Sequence, residues 1–376
     1  ARIEGGISMH LRAWCVIALC HSASSFTIPS FSPLVAATSG FRSSLFGAVR
    51  VPFRNFRSIP KMVTSPYATK PYPVGTPGVA WGADERSAWK ALQVNKRSYA
   101  DEVLSKVQAL RDSGKWEVEQ YGALSVDVKR YPLYVFKSQQ WDATKPTCLV
   151  TGGVHGYETS GVQGALLFLQ TEAEKYAAKV NLVVAPCISP WGYEHIQRWN
   201  NNADDPNRNF VAGSPCDECN AMLEMLGKMK AAGTSFTLHI DLHETTNSDE
   251  EEFMPAKASR DGQKYEPDYI PDGFYLVGDS ENPQAEWHTA IIDSVKKVTH
   301  IAPPDIKGQI IGEVPTQEGC IVYPISSLGL CAALTDSAYR TTTEVYPDSP
   351  NANNDVCNRA QVASITGAID YILAKI

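Results

Sequence analysis

Thr147-Cys-Leu-Val-Thr-Gly-Gly-Val-His-Gly-Tyr-Glu158 begins as an apolar run and ends in groups that can do chemistry. The run, Thr147 to Val154, is too short for a buried helix and reads as a buried strand; a helical stretch, Ser160 to Ala178, follows it. The same layout recurs twice. Val180 to Pro186 runs into a Ser-Pro-Trp-Gly turn, and Phe236 to Leu242 runs into His243, with helical Asn220 to Ala232 between them. Strands alternating with helices predict an α/β fold: a single domain whose central sheet is mixed, largely parallel and flanked by helices. In such sheets polar clusters gather at the carboxyl ends of the strands, and all three clusters here lie there. Outward from this centre, Ala83 to Gly114 reads as helical, Leu124–Val128 and Tyr131–Phe136 as a hairpin, and Ala360–Ile376 as a closing helix.

Charge divides the chain. It has 376 residues, 43% hydrophobic and 20% charged, with a net charge of −7. No acid occurs between Glu4 and Asp84, whereas 26 basic residues face 40 acidic ones from Asp84 onward. An acidic body argues against a nucleic-acid partner, and with no run of 18 apolar residues no membrane span is expected in the mature form. Residues 1–61 read as a targeting leader, removed or disordered. Met9 to Ser25 has the layout of a secretory signal, and Phe26 to Lys61 the Arg- and Ser-rich composition of a transit peptide, which together point to a plastid through a bipartite leader. Secreted and mitochondrial locations are alternatives, and translation from Met62 would give a cytoplasmic protein. Residues 62–82 read as a Pro-rich linker and residues 83–376 as the functional domain. Cys216-Asp-Glu-Cys219 reads as a surface disulfide or two free thiols rather than a metal site.

His155 and Glu158, three apart at a strand-to-helix junction, can converge on one cation, and imidazole nitrogen with carboxylate oxygen suits Zn²⁺. A third ligand should come from another strand end. In His239-Ile-Asp-Leu-His243 the three polar side chains share one face, and His243 lies furthest toward the carboxyl end. His239 then reads as a buried, hydrogen-bonded histidine and Asp241 as a partner that orients a ligand. Between these clusters, Arg198 and Asn207-Arg208 form a natural clamp for a carboxylate.

Taken in order, His155-Gly-Tyr-Glu158, Pro190-Trp-Gly-Tyr193, Arg198, Asn207-Arg-Asn-Phe210, His243, Tyr323 and Thr341-Thr-Thr-Glu344 resemble the zinc carboxypeptidases of the carboxypeptidase A type, from about Tyr131 to the end of the chain. The resemblance implies a metallocarboxypeptidase that holds one Zn²⁺ on His155, Glu158 and His243. Glu344 would be its general base and Arg198 would stabilise the oxyanion. Asn207, Arg208 and Tyr323 would grip the free C-terminal carboxylate of a peptide substrate. Glu313 and Glu318 compete with Glu344 for the base role. Glu244 to Glu252 stands in place of the family's usual Ser-Tyr continuation, and its acidic part, Asp249 to Glu252, reads as a solvated loop, or one overhanging the cleft. A related zinc amidohydrolase of the aspartoacylase and succinylglutamate desuccinylase type, acting on acylated amino acids, is the alternative chemistry. A non-catalytic carboxylate-binding module is the alternative from another class.

Overall fold

The computed structural model describes residues 65–376; residues 1–61, expected to form a leader, lie outside the described residues. Its strands are β1 (Trp116–Ala123), β2 (Pro132–Ser138), β3 (Thr147–Gly152), β4 (Asn181–Ala185), β5 (Leu238–Glu244), β6 (Tyr275–Asp279), β7 (Cys320–Tyr323) and β8 (Tyr339–Val345). They form one eight-stranded sheet in the order β1-β2-β4-β3-β5-β8-β6-β7. The middle, β4-β3-β5-β8, is parallel; β1 and β2 join antiparallel at one edge, and β6 meets β8 antiparallel at the other. This is the mixed, largely parallel sheet expected from the sequence, and its inner strands β3, β4 and β5 are buried along their whole length.

Helices cover both faces. Those that matter for the site are α1 (Ala83–Ala91), α2 (Ser105–Asp112), α3 (Thr159–Thr171), α4 (Ala173–Ala177), α5 (Pro190–His195), α6 (Asp217–Ala231), α7 (Met254–Arg260), α8 (Ala285–Val295) and α9 (Asn354–Leu373). One face of the sheet, with Val150, Leu182, Ile240 and Leu276, packs in a core with Phe168 of α3, Ile291 of α8 and Ile369 of α9. The opposite face is split: Leu149, Val183 and Ala185 pack with Met222 and Leu226 of α6, while Tyr275, Val277 and Ile321 form a separate cluster. His239, Asp241, His243 and Glu344 share this second face by register. Among the described residues no helix is long and apolar enough to cross a membrane.

Three local expectations are corrected. The helix expected over Ala83–Gly114 is broken after α1 and resumes as a π-helical turn, Ala100–Leu104, leading into α2, because the intervening backbone is spent on tertiary bonds. Lys96 and Arg97 donate their N–H groups to the Glu194 carbonyl. The hairpin strand expected at Leu124–Val128 lies earlier, at β1; Leu124 to Tyr131 is the connection, closed by the Leu124 N–H on the Tyr131 carbonyl. The acidic segment is not a solvated loop. Asp249–Phe253 is a π-helical turn that enters α7, and Asp249 and Glu250 are buried. Cys216 and Cys219 are two free thiols, the second of the two expected readings, and both are buried.

Glu218, in the first turn of α6, is buried, with the Ser189 hydroxyl donating to it at 3.4 Å. Burial pushes its pKa from 4.5 up to about 7. A raised carboxyl favours folding fully below the unfolded value, and that contribution is lost as pH rises through the folded value. Glu218→Gln should therefore raise Tm by several degrees near pH 8, with the difference from wild type vanishing below about pH 5; thermal melts across that range check it.

Candidate metal centre

β3 sits where the chain changes direction in the sheet, since the connection after it leads to β4 on one side and the next returns to β5 on the other. A crevice opens at the carboxyl ends of such strands. Gly153, at φ +63°, lets the backbone turn sharply off β3 toward His155. Gly156 packs so closely on the next turn that a Cβ would lie 2.0 Å from the Gly192 carbonyl carbon, so no larger residue fits at position 156. Arg97 secures this loop from outside, donating to the Gly156 carbonyl at 2.6 Å and the Thr159 hydroxyl at 2.7 Å.

The three expected ligands meet. Glu158 Oε1 is 2.8 Å from His155 Nδ1, and its Oε2 is 2.7 Å from His243 Nδ1. The imidazole centroids lie 4.9 Å apart, nearly perpendicular. Among the described residues these form the one group of three His, Cys, Asp or Glu side chains whose ligand atoms come within 4.8 Å of one another. Carboxylates back both rings: His155 Nε2 meets Asp205 Oδ1 at 2.9 Å, and His243 Nε2 meets Asp241 Oδ2 at 2.7 Å. Each ring thus gives its Nε2–H to an aspartate and turns Nδ1 inward. The contact between His243 Nδ1 and Glu158 Oε2 is short but not aligned as a hydrogen bond, which leaves two buried heteroatoms facing each other. A cation between the rings would satisfy both, and two imidazoles with one carboxylate are the donor set of an open catalytic zinc site.

Electrostatics agree with that reading. Burial would raise the Glu158 pKa, yet His243 and His155 together bring it down to about 2. Burial also opposes charge on His243, but Glu158 and Asp241 raise its pKa well above the usual imidazole value. Asp241 is itself held: the Thr151 hydroxyl donates to its Oδ1 at 2.7 Å, and His239 Nε2 lies 2.9 Å from that hydroxyl. Burial lowers the His239 pKa to about 4, so it is the neutral, hydrogen-bonded histidine expected.

Glu344 lies beside this group, paired with His243 across β5 and β8 and on the same face. Its Oε2 accepts from the Thr245 hydroxyl at 2.9 Å. Burial raises its pKa well above the usual range, with His243 opposing and Glu158 adding to the rise. The competing acids lie elsewhere. Glu318 is a surface partner of Lys296, and Glu313 closes a bridge with Ile310.

Arg198 is buried against the other side of His155, its Nε donating to Asp205 Oδ2 at 3.2 Å and its Nη1 3.6 Å from Asp249 Oδ1. Asp249 also accepts from the Tyr157 hydroxyl at 2.6 Å. The buried acid in the segment after His243 is therefore a charge partner of Arg198. Asn207 is buried and its Oδ1 accepts from the Cys331 N–H at 2.8 Å; Arg208, half-buried, donates to the Asn207 carbonyl at 2.6 Å.

Along the sheet Tyr323 is offset from Glu344. β6 runs antiparallel to β8, so Tyr275 pairs with Glu344, whereas Tyr323, across from Asp279, lies four residues further along the sheet. That is about 13 Å along the strands, and a further two strands to the side. Three residues that belong to the site went unassigned in the sequence: Asp205, Thr245 and Tyr275. Asp205 had a faint signal, an Asp directly before Pro206 and the Asn207-Arg208 pair, where it also accepts the Asn207 N–H.

The family described as "protein of unknown function (DUF2817)" matches residues 142–226, which include His155, Glu158 and Arg198 but stop short of His243. No curated protein matches the chain in sequence. Among solved structures, a candidate metallopeptidase from Shewanella amazonensis is 20% identical, with 71% of this chain and 91% of that one covered and a TM-score of 0.53. One from Shewanella denitrificans is 18% identical, covering 72% and 89%, with a TM-score of 0.54. A candidate carboxypeptidase from Burkholderia mallei is 15% identical, covering 72% and 67%, with a TM-score of 0.51. The fold is accordingly that of the carboxypeptidase A-like metallopeptidases.

Because His243 must give up a proton for a cation to enter, metal binding should release protons and weaken as pH falls. Zn²⁺ added to chelator-treated protein should raise Tm and acidify a weakly buffered solution, and His155→Ala should remove both effects; an unchanged response in His155→Ala would place the metal elsewhere.

Proposed function

We propose that the protein is a zinc metallocarboxypeptidase, hydrolysing the C-terminal peptide bond of peptides that carry a free carboxylate. The observation that carries this reading is the convergence of His155 Nδ1, His243 Nδ1 and the Glu158 carboxylate beside Glu344, in a sheet of the carboxypeptidase A-like type. One zinc ion held on His155, Glu158 and His243 would supply an activated water and a polarised carbonyl. Glu344 takes the proton of the attacking water at Oε1, the oxygen not engaged by Thr245, and passes it to the leaving nitrogen. Arg198 provides positive charge to the oxyanion that develops; Asp205 and Asp249 fix its guanidinium in advance, so that charge is in place before the reaction begins. Asn207 and Arg208 bind the substrate carboxylate, the arginine by its forked geometry and the asparagine through its amide N–H groups.

The position of Tyr323 lends weight to a second reading. The tyrosine that would separate a peptidase from an amidohydrolase on acylated amino acids lies away from Glu344, so the peptide side of the site rests on Asn207 and Arg208.

Hydrolysis of hippuryl and furylacryloyl dipeptides, compared with N-acetylaspartate, distinguishes the two; turnover of the dipeptides is expected, and turnover of N-acetylaspartate alone would transfer the protein to the amidohydrolase class. Glu344→Gln should lower kcat by roughly 10²–10⁴-fold, and a variant near the wild-type rate would move the base elsewhere. Arg208→Ala should weaken kcat/KM for peptides with a free C-terminus far more than for amidated ones, whereas equal losses would argue against an exopeptidase.

A further inference from the structure

We infer that Thr245 and Tyr275 are positioning residues that set the orientation of the Glu344 carboxylate through a two-step hydrogen-bond chain. The inference rests on the reading of Glu344 as the base. The Tyr275 hydroxyl lies 2.7 Å from Thr245 Oγ1, which lies 2.9 Å from Glu344 Oε2, and all three side chains are buried.

Proton inventory fixes the direction of the chain. In the ionised form in which Glu344 acts as base its carboxylate only accepts, and a threonine hydroxyl has a single proton, so Thr245 then donates to Glu344 and its oxygen is left to accept from Tyr275. Donation from Tyr275 polarises the Thr245 hydroxyl and strengthens its bond to the carboxylate. One carboxylate oxygen is thereby tied down while Oε1 has no hydrogen-bond partner. A carboxylate turns freely about its last torsion unless something holds it. Here the hold comes from outside its own strand.

The sheet brings the three groups together. Tyr275 pairs with Glu344 in the antiparallel β6–β8 ladder, and His243 pairs with Glu344 in the parallel β5–β8 ladder, so all three side chains project from one face in a single row. Thr245 follows the end of β5, where its N–H donates to the Val345 carbonyl at 3.1 Å, fixing its backbone beside the residue next to Glu344. The anchor therefore draws on three adjacent strands, and its register is the one that aligns Glu344 with the ligand His243.

The test is a double-mutant cycle on the full chain with zinc bound. Thr245→Val should lower kcat by roughly 10–100-fold, the scale expected when a reacting group is misplaced by about an ångström. KM and zinc affinity, the latter measured by chelator competition, should stay within about threefold of wild type. Thr245→Ser keeps the hydroxyl and should restore most of kcat. Tyr275→Phe should cost less than Thr245→Val, and the double variant should be no slower than Thr245→Val alone, since Tyr275 acts through Thr245. A Thr245→Val enzyme within twofold of wild type, or strictly additive losses, would overturn the inference. Crystal structures of Thr245→Val and Thr245→Ser supply a readout independent of turnover. The Glu344 carboxylate should rotate in the valine variant and not in the serine one; an unmoved carboxylate in Thr245→Val overturns the inference even if neither dipeptides nor N-acetylaspartate are substrates, an outcome that would instead defeat the proposed function.

Discussion

The contact on which the rest of the molecule depends is the Glu158 carboxylate held between two imidazole nitrogens, His155 Nδ1 at 2.8 Å and His243 Nδ1 at 2.7 Å. Burying an acid with two histidines out of reach of water is costly unless every partner is satisfied. The fold answers this by giving each ring an aspartate, Asp205 or Asp241, and each aspartate a further partner, Arg198 or Thr151. On the His155 side, acid, imidazole, acid and guanidinium follow one another outward; on the His243 side the chain ends at the Thr151 hydroxyl. A divalent cation at the centre would be met by the two inward Nδ1 atoms and the Glu158 carboxylate.

The sheet makes the arrangement possible. Parallel β3, β5 and β8 end at the same edge, and the ladder sets Thr151 beside Asp241, and His243 beside Glu344. Glu158 and Glu344 thus differ by environment rather than by type. Glu158 is drawn down to about pKa 2 by the imidazoles, while burial and the Glu158 charge push Glu344 upward. Such separation is what a site needs when one carboxylate must remain a ligand and the other must exchange protons.

Much of this was legible in the chain because the central strands are buried on both faces and read as continuous apolar runs that stop at polar residues. His155 and Glu158 are local to one loop, and His243 could be chosen over His239 by strand direction alone. What could not be read depends on pairing between distant strands. Tyr323 matched a motif in order, but whether it reaches the site is decided by the antiparallel entry of β6, which no spacing encodes. Asp249 stands in a run of four acids that looks solvated; Tyr157, Arg198 and the Thr246 N–H bury it. Thr245 and Tyr275 carry no chemistry on their own, so only their contacts with Glu344 single them out. The helix expected through Val94 to Arg97 gave way because Arg97 is needed against the Gly156 loop.

The central claim is that the inward Nδ1 atoms of His155 and His243 and the Glu158 carboxylate hold a zinc ion. Anomalous diffraction on either side of the zinc absorption edge, from crystals of protein purified without added metal, tests it most directly. The account predicts one strong peak bonded to those three groups, with Asp205 and Asp241 still on the Nε2 atoms. A zinc-free centre in protein that still hydrolyses its substrate, or a zinc bound through the Nε2 atoms, would contradict it.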